Sequence, residues 1–309
     1  MIVNGVAIDD SFAEAFPMKA TRIVITAHNL QWARHAAVAA TGFATSVIAC
    51  GCEAGIEREI PPQETPDGRP GISVLVFSMS GKELAKQIER RVGQCVLTCP
   101  TTAVFAGIAE GEAVALGKNL RFFGDGWQTS KVIGGIRYWR VPVMDGEFVA
   151  QETTAAVKAV GGGNLLLLAR DTDAALACAE AAVRAMRQLP NVVMPFPGGV
   201  VRSGSKVGSK YASLGASTND AFCPTLAGLT PRSELAGCAA GQEVGCVLEI
   251  VIDGLTQADV GAAMRAGMQA AIAIGAAGSL RRISAGNYGG KLGPFHFYLH
   301  ELLATEGAR

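Results

Sequence analysis

Four segments of the 309-residue chain repeat one pattern: an apolar run, a residue with a side-chain oxygen, then a stretch with helical spacing. Thr21 to Ala27 leads through Asn29 into a helix ending near Ala40. Ile72 to Ser78 leads through Ser80 into a helix over Lys82 to Val92. Leu165 to Ala169 leads through Asp171 or Thr172 into a helix reaching Gln188. Cys246 to Ile252 leads through Thr256, with Asp259 in the first turn, into a helix ending near Ile274. An oxygen at that place accepts an orphan N–H of the first helical turn, so each segment reads as strand, cap and helix. β-like stretches follow the helices at Ser46 to Ala49, Cys95 to Leu97, Val192 to Met194 and Arg282 to Ser284. Two pairs of such units give βαββαβ twice, the ferredoxin-like plan. The predicted fold class is α+β, two tandem ferredoxin-like lobes with long functional insertions. The lobes are expected over 1–150 and 151–309, parted where Gly146 and the Gly161-Gly162-Gly163 run relax the chain. Insertions rich in Pro, Gly and Ser lie at 53–71, 195–220 and 223–245. Long loops in compact domains carry sites or interfaces.

Charge narrows the class. Lys and Arg total 27, Asp and Glu total 27, and charged residues are 17% against a usual ~25%. With 49% hydrophobic residues the chain is not disordered. Without a basic block or an aromatic RNA-binding strand it is a poor nucleic-acid binder. So few charges at zero net charge point to surface covered by other subunits. The N-terminus shows no secretory signal, and Ala262 to Ile274, interrupted by Arg265, Gly267 and Gln269, reads as a buried helix rather than a membrane span. The eight scattered cysteines suit reduced thiols in a cytoplasm. Neither Cys50-x-Cys52 nor Cys95-x3-Cys99 has the spacing of a zinc site, and no metal is expected.

Glu249 is the most informative residue. It sits in CVLEIVID (246–253), and alternation places it opposite Leu248 and Ile250, with Val247 and Val251. A carboxylate among aliphatics is costly unless paired or protonated. Burial raises its pKa toward neutrality, which suits general acid–base chemistry; the alternative is a structural pair with Lys or Arg. SGSKVGSK (203–210) lacks P-loop spacing, but Arg202, Lys206 and Lys210 among small residues either hold an anionic tail or form a solvated loop. The 161–163 glycines precede a strand, so they are not a dinucleotide-binding turn. His296 and His300 stand four apart without an evident third ligand. Cys99 and Cys223, each before Pro-Thr, read as core thiols for want of a basic neighbour. Glu14, in SFAEAF (11–16), either faces a cleft or caps local structure.

Longer strings carry a resemblance. They are TPDGRPG (65–71), GQCVLTCPTTA (93–103), FFGDG (122–126), PFPGGVVRSGSKVGSK (195–210), ASTN (216–219), CPT (223–225), EIVIDGL (249–255) and ISAGNYGGKLG (283–293). Together they closely resemble the formylmethanofuran–tetrahydromethanopterin formyltransferases, nearly end to end. The resemblance implies a cytoplasmic one-carbon enzyme with methanofuran and tetrahydromethanopterin as cosubstrates and no prosthetic group. It implies a homo-oligomer, often a tetramer. It also makes Glu249 the catalytic glutamate. Ser205, Asn219, Cys223 and Asn287 would surround it, with Lys206, Lys210 and Lys291 holding acidic substrate tails. The neutral, alanine-rich composition looks like the bacterial, methylotroph branch, where the resemblance implies hydrolase subunits and transfer toward methanofuran. A second reading is a non-catalytic assembly subunit of such a formyltransferase/hydrolase complex; the intact Glu249 and loops argue for the enzyme.

Overall fold

A computed structural model of the chain describes residues 1–204, 206–236, 243–276 and 278–304. Met18–Ala159 packs as one unit, and Met1–Pro17 packs with the chain from Val160 onward as another. In the first unit the end of strand Phe12–Thr26 is followed by helix Leu30–Thr41, strands Glu53–Ile60 and Gly71–Ser78, helix Gly81–Arg91 and strand Ala103–Ala106. Gly71–Ser78 pairs antiparallel with Phe12–Thr26 and with Glu53–Ile60, and Ala103–Ala106 also pairs antiparallel with Phe12–Thr26. The spatial order is fourth, first, third, second, the ferredoxin-like arrangement. The second unit repeats it with Thr153–Ala169, helix Thr172–Met186, Val192–Val193, Cys246–Gly254, helix Gln257–Gly275 and Leu280–Ser284. There Cys246–Gly254 pairs antiparallel with Thr153–Ala169 and Val192–Val193, and Leu280–Ser284 also pairs antiparallel with Thr153–Ala169. Val6–Ile8 adds parallel to Leu280–Ser284. The chain thus adopts the α+β double ferredoxin-like plan that the repeat indicates.

The four caps act as read. Side chains of Asn29, Ser80, Asp171 and Thr256 accept from the backbone N–H of Trp32, Glu83, Ala174 and Asp259. Each satisfies a donor that the first turn leaves orphaned.

Two strands lie later than expected. Ser46 to Ala49 is not a strand, because Val47–Cys50 winds as a helical turn. The Ser46 side chain accepts from Ile48 N–H, and the Glu53 carboxylate from Val47 N–H. The strand is Glu53–Ile60, inside the stretch 53–71 read as an insertion. Cys95 to Leu97 is helical as well, within and just after the wide turn Val92–Val96. Leu84, Ile88, Val92 and Val96 recur every four residues and are all buried, so one apolar helix face continues past the expected end.

The sequence divided the lobes as 1–150 and 151–309. In the structure Met1–Pro17 belongs with the second unit, and the change of unit after Ala159 falls inside strand Thr153–Ala169. Of the glycines read as a relaxed link, Gly146 opens strand Gly146–Gln151, and Gly161 to Gly163 lie in Thr153–Ala169, where pairing with Cys246–Gly254 shifts register between Val160 and Gly163. A bulge with Gly162 at φ +88° bends the strand without ending it.

In the second unit both helices pack on one sheet face. Leu165, Leu167, Leu248, Ile250 and Ile252 share a buried cluster with Cys178, Met186, Val260 and Met264. Leu166 and Leu168 alternate to the opposite face, where they pack with Leu235 of the 223–245 insertion. Helices therefore cover one face and an insertion covers the other, which leaves the second face for a site. Val260 approaches the sheet closely. A Cβ on Gly163 would stand 2.4 Å from Val260 Cγ1, and one on Gly254 2.8 Å from Val260 Cγ2. Val260 is branched and stiff, so it cannot swing aside. Gly163→Ala is expected to destabilise the fold by about 1–3 kcal/mol through overpacking; a urea midpoint equal to wild type would contradict this.

Candidate active site

Glu249 lies mid-strand, opposite Leu166, which is itself opposite Ser284 on the next strand. Along the other edge Val201 makes an isolated bridge. Val201 N–H donates to Glu249 C=O at 2.7 Å, and Glu249 N–H donates to Val201 C=O at 2.9 Å. The 195–220 insertion thus fastens its backbone beside Glu249 before folding over the sheet. Leu248 and Ile250 are buried toward the helices, so alternation turns the Glu249 side chain to the opposite face. There it lines a cavity of about 570 Å³. The sheet contributes Asn164, Leu166, Arg282 and Ser284, and the insertion contributes Lys206, Asn219, Ala221, Phe222 and Glu234. Asp9 to Ser11 and Ala285 to Tyr288 close the sides. A recess of about 20 Å³ adjoins it, lined by Gly204, Asn219, Cys223 and Glu249 among others.

Among the described residues no hydrogen bond or ion pair reaches the Glu249 carboxylate. Burial therefore acts unopposed and pushes its carboxyl up from 4.5 to about 7. Gly204 stands against it. A Cβ there would lie 3.4 Å from Glu249 Oε2 and 3.1 Å from Asn219 Cβ, at a φ of +55°. The shift corresponds to about 3 kcal/mol of cost for an ionised Glu249. Leu248, Ile250 and Ile252 on the same strand offset it, since burying each contributes about 1.5–3 kcal/mol.

The cavity's two lining cations, Lys206 and Arg282, are already paired. Lys206 Nζ donates to Asp220 Oδ1 at 2.6 Å and Arg232 Nη2 to Asp220 Oδ2 at 2.7 Å, and these bonds hold Asp220 at about 2. Arg282 Nη2 donates to Glu234 C=O at 3.0 Å, and its Nε lies 3.5 Å from Asp9 Oδ2. Among the described residues no cation pairs with the Glu249 carboxylate; Arg202, which lines the adjoining recess, is exposed.

The structure brings Glu249, Lys206, Asn219 and Asn287 together around the cavity, with Cys223 in the adjoining recess. Lys210 and Lys291 are exposed and are not among its lining residues. Ser205 lies outside the described residues. Cys223 Sγ donates to Asn219 C=O at 3.4 Å. Asn287 Nδ2 donates to Ser11 Oγ and Phe12 C=O, both at 3.3 Å. Sequence reading missed Asp9, Asn164, Arg282 and Ser284. The last two stand two apart in one strand, a period-two signal that shows only once the buried face is known.

Residues 1–143 match the family of formylmethanofuran-tetrahydromethanopterin formyltransferases, and residues 146–302 match its proximal lobe. A protein of Methylococcus capsulatus named formylmethanofuran–tetrahydromethanopterin formyltransferase is 69% identical over 304 residues, 98% of this chain and all of that one. The solved formyltransferase of Methanosarcina barkeri superposes with a TM-score of 0.90 at 46% identity, over 98% of this chain and all of that one. A chain of the formyltransferase/hydrolase complex of Methylorubrum extorquens, solved with methylofuran, superposes with a TM-score of 0.94 at 50% identity over 98% of each. Fold, cavity and these likenesses define an acyltransferase. The chain belongs to the formylmethanofuran–tetrahydromethanopterin formyltransferase family.

The raised carboxyl has a consequence for stability. Its folded value lies above its ordinary one, so the folded chain keeps a proton between pH 4.5 and 7 that the unfolded chain releases. Stability is lost as pH rises across that window. Relative to wild type, Glu249→Gln is expected to be more stable by up to about 3 kcal/mol at pH 8 and to lose that advantage toward pH 4.5. Urea unfolding of both proteins at the two pH values reads this, and a difference independent of pH would contradict it.

Proposed function

We propose that this chain moves a formyl group between the amine of methanofuran and a ring nitrogen of tetrahydromethanopterin, with Glu249 as general acid and base. The acceptor nitrogen attacks the formyl carbon, a C–N bond forms, and the carbonyl electron pair moves onto oxygen. Ionised Glu249 takes the proton from the attacking nitrogen. It then delivers that proton to the leaving nitrogen as the second C–N bond breaks and the carbonyl reforms. A group that first accepts and then donates works best with a pKa near the working pH. That single property of Glu249, produced by burial without a partner, supports the reading most.

The oxyanion needs a fixed donor. Asn219 lines the cavity and the recess beside Glu249, and its side chain makes no hydrogen bond to another described residue, so its amide is the proposed donor. Lys206 is held by Asp220 and acts through that pair, while the exposed Lys210 and Lys291 are the proposed partners of acidic substrate tails. Both reacting groups come with the cosubstrates, so the transfer asks for no electron carrier or prosthetic group.

A homotetramer in the cytoplasm, or a complex with hydrolase subunits, is the proposed assembly. The balanced charge supports it, as do Phe122, Phe123, Trp127, Val132 and Ile133, all exposed in the first unit. Large apolar side chains grouped at a surface mark contact sites. Among the described residues no helix is long and apolar enough to cross a membrane.

Glu249→Gln keeps the shape and removes the proton carrier. Its kcat for formyl transfer is expected to fall by about 10²–10⁴, and the limb of the pH–rate profile near 7 to disappear. A folded Glu249→Gln enzyme with near-normal turnover would overturn the assignment.

A further inference from the structure

A second carboxylate in the same unit has no part in the proton transfer. Glu14 is 1% exposed in strand Phe12–Thr26. Its Oε2 accepts the backbone N–H of Tyr288 at 2.7 Å and of Gly290 at 2.8 Å. Its Oε1 accepts the N–H of Leu292 and of Gly293, both at 2.6 Å. Among the described residues no cation pairs with it. The donors all come from the glycine-rich loop 286–293, within the string 283–293 quoted for the family resemblance. Four of its N–H groups point at an internal anion.

Further hydrogen bonds fasten the ends of the loop: Gly286 C=O accepts Glu14 N–H at 3.2 Å, and His296 Nε2 meets Gly293 C=O at 3.0 Å. Leu292 is exposed, and Tyr288 is only half-buried, its ring 6.0 Å from that of Phe16. Gly289 and Gly290 take φ values of +77° and +70°, which turn successive N–H groups inward. At the loop's start Asn164 Oδ1 accepts from Gly286 N–H at 2.6 Å, and its Nδ2 donates to Gly286 C=O at 3.1 Å. Gly286, Asn287 and Tyr288 are wall residues of the Glu249 cavity.

We propose that Glu14 is a positioning residue of formyl transfer: by holding four backbone N–H groups of the 286–293 loop, it fixes the cavity wall against which a cosubstrate is set. The proposal rests on the Glu249 cavity being the place of transfer. A loop with few apolar contacts is shaped mainly by its hydrogen bonds, and a small displacement of a positioning wall costs rate and affinity. Glu14 touches no reacting atom, so it acts through the loop.

Glu14→Gln tests this, since its amide can accept from one pair of N–H groups but turns donors toward the other. The expected result in the folded variant is a rise of about tenfold or more in KM for one cosubstrate, with the pH limb near 7 retained in kcat. Unchanged kcat and KM in a folded variant that loses only thermal stability would overturn the proposal. Gly289→Ala serves if Glu14→Gln does not fold. Its Cβ would meet nothing within 4 Å, while its φ of +77° strains the same turn and leaves Glu14 in place. It is expected to raise the same KM several-fold at an almost unchanged melting temperature; wild-type kinetics would overturn the proposal. Failure of the Glu249 reading shows separately, as a wild-type enzyme without the limb near pH 7.

Discussion

A carboxylate removed from water must find donors or give up its charge. The second unit resolves this constraint in both ways, and its site depends on the contrast. Burial pushes both Glu14 and Glu249 upward. At Glu14 four backbone N–H groups outweigh burial and hold the carboxyl at about 2, so it is a permanent anion around which a loop folds. At Glu249 no described donor opposes burial, and the carboxyl rises to about 7. One carboxylate is fixed and structural; the other is free to exchange a proton. Two like groups given opposite roles by their surroundings are a recurrent solution in acid–base catalysis.

The scaffold makes that contrast possible. Strand alternation lets Leu248 and Ile250 bury against the helices while Glu249 faces away. The uncovered face would expose Leu166 and Leu168, so the insertion folds over them through Leu235 and Phe222. Covering those leucines also walls in Glu249. The same burial that stabilises the insertion therefore raises the carboxyl's pKa. Asp220 completes the cover by pairing Lys206 and Arg232. Lys206 is thereby held on Asp220 rather than on the Glu249 carboxylate.

Local signals carried most of what was legible in the sequence. The caps at Asn29, Ser80, Asp171 and Thr256 act within three residues, so spacing alone revealed them. Glu249 stood out because one charge interrupts an alternating strand. Strand Glu53–Ile60 was hidden by its charges, Glu53, Glu57, Arg58 and Glu59, which pair or face solvent. Cys95 to Leu97 reads as a strand because its short apolar run shows no period of its own, although the four-residue period of buried Leu84, Ile88, Val92 and Val96 continues through it. Contacts across long sequence separations gave no signal. The bonds from Glu14 to the loop span more than 270 residues. The Lys206 pair with Asp220 joins the short strand Lys206–Val207 to the helical turn Asp220–Phe222. The return of Met1–Pro17 to the second unit is of the same kind: strand Phe12–Thr26 runs through the change of unit, whereas the sequence marks only its end, Thr21 to Ala27, as a strand.

The account depends on the Glu249 carboxyl holding its proton near neutral pH. Infrared difference spectroscopy of the substrate-free enzyme, wild type against Glu249→Gln, reads the carboxylic C=O band as pH is raised. The band should be present at pH 6 and vanish with a midpoint near 7. A midpoint near 4.5, the ordinary value for glutamate, would contradict the account.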